Sequence, residues 1–349
     1  MKQPIYQRSS HLLGLLALAA CPVLAHHSTA AIYDTSRTIE ISGVVESFHW
    51  RNPHGLIVLA VEDENGATVH WEVETQGVSI LRNREMYYED IIDVGDQITI
   101  AGAPARRNVP ELNASSILLR TGYELPFEFG NPEPYFEAGK NGNIVGRNAI
   151  ETDVEQAVAE ADGIFRVWST ILGDPAAFPM FKGDYPLTQA AEDYVALWDP
   201  LDNELLKCGT KGHPLIMITP FPVEFVNQGD QILLRIEEFD ALRVIHMDPN
   251  AVAPDEYTQM GFSRGRFDGR TLVVETDHTQ MQYFDMDGVP QSEQLATTEY
   301  FMPNEDYTRM DYRIAVEDPI YFSEPFDLTR YFVWRPENRV NLYECLDRF

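Results

Sequence analysis

The sequence predicts a mainly β protein that contains a small barrel followed by a larger one. Apolar and polar residues alternate over short runs, and turn residues separate these runs. The runs form two groups, one before residue 122 and one after residue 163. A chain of 349 residues with 44% hydrophobic content is long enough to bury two separate cores.

Five strands and one helix are predicted in the first group. Residues 38–48 alternate around an interruption at Gly43. A helix over residues 76–86 follows the third strand. Five strands with a helix between the third and the fourth indicate an OB-like barrel. The predicted strands cover residues 38–48, 56–61, 69–73, 97–101 and 116–120.

The second group contains more strands, joined by short turns. A first strand is predicted at residues 163–169 and a helix at residues 188–197. The dipeptide Asp268-Gly269 is a strong signal for a two-residue hairpin turn. This meander order indicates an antiparallel up-and-down barrel or a strongly curved sheet. The other predicted strands cover residues 222–226, 231–237, 242–247, 263–267, 271–276, 296–302, 307–316, 328–334 and 340–345.

Composition sets the predicted domain boundaries. Proline and glycine concentrate between residues 123 and 149, and residues 150–161 form an acidic stretch with helical character. The expected domains are a signal peptide at residues 1–25, an OB-like domain at 26–122, a linker with a short helix at 123–162 and a barrel domain at 163–349.

The first residues have the features of a bacterial export signal. Lys2 and Arg8 precede an apolar run over residues 12–20. Val23 and Ala25 occupy the small-residue positions before a signal-peptidase site. The run is too short to span a bilayer stably, so no transmembrane segment is expected. This pattern predicts a periplasmic or secreted protein.

Cys21 supports an alternative processing route. Residues 18–21 also match a bacterial lipoprotein signal, in which Cys21 would be acylated and become the first residue. Both routes export the protein. They differ in the product, which is either a free chain that starts after Ala25 or a lipoprotein anchored to a membrane at Cys21.

Two cysteines remain if Cys21 leaves with the signal. Cys208 and Cys345 form an even pair in an oxidising compartment, and a disulfide between them is expected. The alternative is a reactive thiol at Cys208, because Lys207 and Lys211 flank it with positive charge.

The charge of the chain restricts its partners. The formal net charge is −29, which argues against nucleic acid. A neutral or cationic small molecule remains an acceptable ligand or substrate. The chain has no Gly-x-Ser-x-Gly elbow, no phosphate-binding glycine loop and no His-Glu-x-x-His motif, so nucleotide cofactors are not expected.

The pair His26-His27 is a candidate copper site. Cleavage after Ala25 would leave His26 at the N-terminus, where its amine and ring nitrogen can chelate a metal, and imidazole suits copper and zinc. His54 is the first choice for a further ligand, because the turn of residues 50–55 can project it from the barrel rim. The alternative for His54 is a hydrogen bond within its own turn.

Four residues of the second barrel are candidate catalytic groups. Alternation along residues 242–247 separates Arg243 from His246, so that the two lie on opposite strand faces. An interior that contained His246 near Glu275 or Glu299 would provide a general base oriented by a carboxylate. The alternative is a structural polar network or exposed charge. The candidates are His246, Asp248, Glu275 and Glu299.

The first third of the chain contains the motifs His26-His27-Ser28, Tyr33-Asp34, Gly43-Val44-Val45, Trp50-Arg51-Asn52-Pro53-His54 and Gly95-Asp96. In these motifs it resembles an uncharacterised family of small exported bacterial proteins. Members start with His-His-Ser after their signal, which favours cleavage after Ala25. The resemblance implies no activity and no catalytic residues.

The second half contains residues 208–214 (Cys-Gly-Thr-Lys-Gly-His-Pro), residues 243–248 (Arg-Val-Ile-His-Met-Asp) and residues 261–276, which include Asp268-Gly269. These segments resemble a recurrent exported bacterial β-domain of unknown function, fused here to the first domain. The resemblance extends to the C-terminus. It implies no activity either.

The leading functional hypothesis is an exported ligand-binding protein that binds copper through an N-terminal histidine. One alternative is a periplasmic enzyme that acts on a small organic molecule in the second barrel, as a copper-dependent oxidase or as a metal-independent isomerase, lyase or hydrolase. The other alternative is an envelope scaffold without a ligand.

Overall fold

The computed structural model describes residues 32–84, 91–127, 134–137, 139, 153–178, 184–199, 208–343 and 345. The predicted signal peptide, the alternative acylation site Cys21 and the predicted metal ligands His26 and His27 lie outside these residues. Within them the chain is mainly β and forms two closed barrels, as the sequence predicts.

The first barrel closes from five strands. In space the strands follow the order β1, β2, β3, β5, β4, with β1 paired to β4 and β3 paired in parallel to β5. A helix, α1 (Val78–Asn83), lies between β3 and β4, and a short strand, β6 (Glu124–Pro126), extends the sheet beside β5. The barrel strands are β1 (Ile39–His49), β2 (Leu56–Glu62), β3 (Thr68–Glu74), β4 (Gln97–Pro104) and β5 (Glu111–Leu118).

Alternation along β1 directs Ile41 and Val45 into the core of this barrel. Gly43 has a packing role, because a Cβ atom there would lie 2.2 Å from the main-chain oxygen of Ala60 on β2. The glycine that interrupts the apolar pattern therefore allows the two strands to approach closely.

The fifth strand starts earlier than predicted. It begins at Glu111 instead of residue 116, because residues 111–113 pair with residues 72–74 of β3 and close the barrel. The segment contains Asn113, Ser115 and Ser116 and so lacks a strong apolar alternation. Its strand structure depends on this long-range pairing rather than on local pattern.

The second barrel closes from nine strands, and strands that are neighbours in the chain are neighbours in space. All pairs are antiparallel except β10 with β11, and β15 returns to pair with β7. An odd number of strands cannot alternate in direction around a closed ring, so one parallel pair is required. The strands are β7 (Val167–Ser169), β8 (Val223–Asn227), β9 (Gln231–Ile236), β10 (Ala241–His246), β11 (Phe262–Asp268), β12 (Thr271–Asp277), β13 (Ala296–Pro303), β14 (Arg309–Glu317) and β15 (Phe326–Trp334).

A short 3-10 helix, Leu215–Ile218, belongs to the core of the second barrel. All four of its side chains are buried and pack in the same apolar cluster as the inward residues of the strands. Two further helices lie outside the barrels. These are α2 (Val154–Glu160), within the predicted linker helix, and α3 (Gln189–Val195), within the predicted helix at residues 188–197.

The predicted strand at residues 340–345 is wrong. Tyr343 is buried because its ring packs against Phe221 and Phe239, with ring centroids 5.4 and 5.0 Å apart. Cys345 forms a single bridge to Asn52 of the first barrel. The burial of Tyr343 therefore comes from contacts outside any sheet, and its apolar neighbour Leu342 is exposed.

The predicted disulfide between Cys208 and Cys345 is confirmed. The C-terminal segment that it holds also contacts the first barrel, where the Asn52 amide donates to the main-chain oxygen of Tyr343. Asn83 at the end of α1 donates to the main-chain oxygens of Pro220 and Thr170. Among the described residues, no helix combines the length and the apolar character that crossing a membrane requires.

Candidate functional site

The turn that carries His54 connects β1 to β2 and rests on a buried side chain. Asn52 is fully buried, donates to Ser79 Oγ at 2.9 Å and accepts from the Ser79 amide at 3.2 Å. Gly77 packs directly under the turn, because a Cβ atom there would lie 2.3 Å from the main-chain oxygen of Pro53. These contacts fix the backbone from which His54 projects.

The His54 imidazole is held by a buried carboxylate. Its Nδ1 atom lies 3.3 Å from Glu74 Oε1, and the Tyr33 hydroxyl donates to Glu74 Oε2 at 3.1 Å. The Glu74 side chain is 6% exposed, whereas the His54 side chain is 43% exposed. A carboxylate at Nδ1 favours the tautomer whose Nε2 carries a lone pair. The Nδ1 side of the His54 ring therefore faces Glu74, while close to half of the side chain is exposed.

The predicted alternative for His54, a hydrogen bond within its own turn, is present at the main chain of the residue and not at the imidazole. The turn is bridged by Arg51 Nε, which donates to the main-chain oxygen of His54 at 3.3 Å. The ring itself faces Glu74 on β3. Two other histidines of the barrel lie elsewhere: His49 is exposed, and His70 Nδ1 lies 2.6 Å from Glu46 Oε2.

The described part of the chain contains no group of three or more His, Cys, Asp and Glu side chains arranged to hold a metal ion. His54 and Glu74 are thus two neighbours that need a further ligand from elsewhere. The predicted partners His26 and His27 lie outside the described residues.

A polar layer crosses the interior of the second barrel. Arg243 on β10 and Glu299 on β13 form a two-pronged ion pair, with nitrogen–oxygen distances of 3.0 and 2.7 Å. The Tyr312 hydroxyl on β14 donates to Glu299 at 2.9 Å. Arg243 also donates to the hydroxyls of Ser263 on β11 and Thr276 on β12, both at 3.2 Å. Five consecutive strands therefore contribute one polar group each.

The ion pair remains charged in this layer. Burial lowers the pKa of Arg243, but the charge and hydrogen bonds of Glu299, together with Tyr312, outweigh burial and hold the pKa above its ordinary value. Burial raises the pKa of Glu299, but Arg243, His213 and Tyr312 together lower it further than burial raises it. A carboxylate with this partner is a poor proton acceptor. Glu299 is suited to positioning Arg243 and Tyr312.

His213 lies beside this ion pair at the start of the buried 3-10 helix. It is fully buried, and its Nε2 atom is 2.7 Å from the Thr297 hydroxyl, while its Nδ1 atom has no hydrogen-bond partner. Burial, followed by the charge of Arg243, lowers the pKa of His213 to about 3. The imidazole is therefore neutral at ordinary pH.

The four predicted catalytic residues do not meet. Glu299 faces the interior, but His246 lies on the outer face of β10, where its ring stacks on Phe262 at 4.6 Å. Asp248 is exposed in a turn and accepts from the Asn250 amide, and Glu275 is exposed on β12. The expectation that His246 shares the interior with Glu299 is wrong, because Arg243 and Ile245 are the inward residues of β10.

Sequence reasoning missed the residues that do lie inside. His213, Tyr312 and Arg330 are buried polar groups of this barrel, and none was a predicted site residue. One usable signal was the position of His213 directly before the apolar run of residues 214–218. A second was the position of Arg330 directly before the aromatic pair Tyr331-Phe332 on β15.

The Asp285 segment, which superficially resembles a calcium loop, is a turn. Asp285 Oδ1 accepts from the main-chain amides of Asp287 and Val289, both at 2.9 Å. The carboxyl is 3% exposed, and burial raises its pKa to about 7 in spite of these hydrogen bonds.

A family model matches the part of the chain that contains most of the first barrel. Residues 14–112 match the model of a family of unknown function, DUF6152. The match starts within the predicted signal peptide and ends at the second residue of β5. No curated protein and no solved structure matches the chain.

Proposed function

We propose that the chain is an exported ligand-binding protein and that copper is the ligand of its first barrel, held by an N-terminal His26 together with His54. The observation that carries this proposal is the orientation of His54. Its Nδ1 faces the buried carboxylate of Glu74, so that the exposed side of the ring presents Nε2 as a metal ligand.

Two observations support export. The first residues combine basic side chains, a short apolar run and small residues before a cleavage site. The Cys208–Cys345 disulfide is a bond that persists in oxidising compartments. A mature chain that starts at His26 would then carry a free amine beside an imidazole.

The chain is long enough to bring His26 to His54. Tyr33 contacts Glu74, which contacts His54, so Tyr33 lies one carboxylate away from the proposed ligand. His26 lies seven positions before Tyr33, and an extended chain of seven residue steps spans roughly 23 Å.

The ligand set suits copper. The terminal amine, the His26 ring and the His54 ring would supply nitrogen atoms, which copper prefers to oxygen ligands. His27 is a second imidazole in the same segment. Glu74 and Tyr33 act as positioning residues, since they hold the His54 ring without binding the metal in this scheme.

The test begins with the intact mass of the exported protein, which establishes whether it starts at His26. Copper(II) is then titrated into this protein by calorimetry, and the nitrogen ligands are counted by electron paramagnetic resonance. His54→Ala should remove one nitrogen from the spectrum and weaken binding. Glu74→Gln should retain the nitrogen but weaken binding by about 10-fold or more.

The matched control is His70→Ala, because His70 is also an exposed histidine of the first barrel that faces a carboxylate. It should leave copper binding unchanged. One extra alanine before His26 should abolish the terminal chelate. An acylated Cys21, or a His54→Ala variant with the wild-type spectrum and affinity, would overturn the proposal.

A further inference from the structure

The second barrel contains two buried arginines with different surroundings. Arg243 is matched by the carboxylate of Glu299. Arg330 on β15 is 4% exposed and faces the interior beside Tyr312, but its hydrogen bonds go to neutral groups alone. Its Nη1 donates to the main-chain oxygens of Met217 at 2.7 Å and Thr219 at 3.0 Å, and its Nη2 donates to Thr170 Oγ1 at 2.6 Å.

Two of the five donors of Arg330 remain unused. A guanidinium carries five N–H groups, and three are engaged in these bonds. The Nε atom is buried without a partner, and Nη2 makes one bond out of two. Nε and Nη2 form one edge of the guanidinium, and a carboxylate can bind both nitrogens of such an edge.

The charge of Arg330 is also uncompensated by a direct contact. The carboxylate whose charge acts on it, Glu238, is bound by Lys211 at 2.7 Å. Burial lowers the pKa of Arg330 to about 9. Buried charges in proteins are normally paired, because removing an ion from water is costly.

Two aromatic rings pack beside the guanidinium of Arg330, one of them fully buried and the other partly exposed. The guanidinium carbon lies 4.3 Å from the ring centre of Phe332 and 5.9 Å from that of Phe178. Phe178 is partly exposed, so a partly exposed side chain lies beside the buried guanidinium. A ligand with an apolar body and an anionic end matches this combination.

We propose that Arg330 is the anchor of a binding site in the second barrel for a small organic carboxylate, which accepts hydrogen bonds from Nε and Nη2. Phe178 and Phe332 contact the apolar body of the ligand. This site is separate from the copper site of the first barrel, and either proposal can fail without the other.

Benzoate and benzamide are a matched pair of probes, because they share the ring and differ in charge. Calorimetry on the full-length exported protein at constant ionic strength should detect benzoate binding and no benzamide binding. Arg330→Met should weaken benzoate binding by roughly tenfold or more, the equivalent of a charged hydrogen bond. Arg313→Met is the control, because Arg313 is an arginine paired with a carboxylate, Asp327, on the outer face.

Two further measurements keep the test decisive if Arg330→Met does not fold. Arg330→Lys retains the charge but loses the two-donor edge, and it should bind benzoate more weakly than the wild type. A crystal soaked with 4-iodobenzoate should show the iodine signal beside Phe178, with the carboxylate on Arg330. Equal binding of benzoate and benzamide, binding unaffected by both Arg330 variants, or water alone at Nε in the soaked crystal would overturn the proposal.

Discussion

Arg243 and Glu299 face each other inside the second barrel and form two parallel hydrogen bonds between guanidinium and carboxylate. Neither side chain is more than 1% exposed. The same pair organises Tyr312, Ser263 and Thr276, which come from three other strands. The pair therefore connects five strands through one buried contact.

The contributions of the two partners of this pair to the free energy of unfolding should be strongly coupled. Glu299→Gln leaves the Arg243 charge buried without compensation and should lower the free energy of unfolding by about 3–5 kcal/mol. Arg243→Met combined with Glu299→Met should cost less than the two single changes added together. Urea unfolding of the wild type, Arg243→Met, Glu299→Met and the double variant measures the coupling free energy. Simple additivity of the two single changes would contradict the prediction.

Asp285→Asn should stabilise the protein at alkaline pH. The folded-state pKa is raised from 3.8 to about 7, so the folded state keeps a proton that the unfolded state loses. Stability therefore falls as pH rises from about 4 to about 7, and the penalty is complete above that range. Asparagine can accept the same main-chain hydrogen bonds without ionising.

Thermal unfolding at pH 4 and pH 8 tests this prediction. The free energy of unfolding of Asp285→Asn should equal that of the wild type at pH 4. At pH 8 it should be higher by about 1.4 kcal/mol for each unit by which the pKa of Asp285 is raised. Asp311→Asn serves as the control on an exposed strand position. A pH-independent difference for Asp285→Asn would contradict the assignment.

His213→Gln should reduce the acid sensitivity of the protein. The folded-state pKa of His213 is lowered from 6.5 to about 3, so the unfolded state takes up a proton first as the pH falls. This group therefore contributes a loss of stability between pH 6.5 and pH 3. Glutamine can retain the hydrogen bond to Thr297 but does not titrate.

Urea midpoints at pH 7 and pH 4.5 check the effect of His213. The variant should be less stable than the wild type at pH 7, and the difference should shrink at pH 4.5. His70→Gln removes an exposed histidine of the first barrel and should show no such narrowing. An unchanged difference between the two pH values would show that His213 does not titrate in this way.

Asn52→Ala should weaken the contact between the two barrels. The change removes the donor to the main-chain oxygen of Tyr343 and the acceptor of the buried Ser79 amide. A loss of about 1–3 kcal/mol is expected for each buried group left unsatisfied. In Asn52→Ala the main-chain amides of residues 77–79 and near Tyr343 should exchange with solvent faster than in the wild type. The amides of β13 and β14 should exchange at the wild-type rate.

Removal of the disulfide should destabilise the second barrel and its C-terminal segment. Cys208 and Cys345 are 137 residues apart, and a loop of that length corresponds to about 4–5 kcal/mol in the chain-entropy model. The double change to alanine should lower the unfolding midpoint. The wild type in reductant should have the same unfolding midpoint as the double variant. A shift of the double variant's own midpoint on addition of reductant would contradict this explanation.

The alternation of apolar and polar residues predicted most of the strands, but it predicted fewer of the residues that form the candidate sites. The strands of the second barrel follow alternation and turn signals closely, as at Asp268-Gly269. The strand predicted at residues 340–345 is absent, because Tyr343 packs against Phe221 in a loop while Leu342 is exposed. Alternation reports that one side of a segment is buried and does not report what buries it.

The sequence by itself determined that the chain is mainly β with two barrels and that Cys208 and Cys345 pair once Cys21 is set aside, because period-two alternation and cysteine number are local or compositional properties. The tertiary structure decided which face of β10 points inward. Both faces carry polar residues, so alternation could not distinguish Arg243 from His246. Barrel closure also decided that β5 pairs with β3 and that Glu74 lies beside His54, because these contacts join residues far apart in the chain.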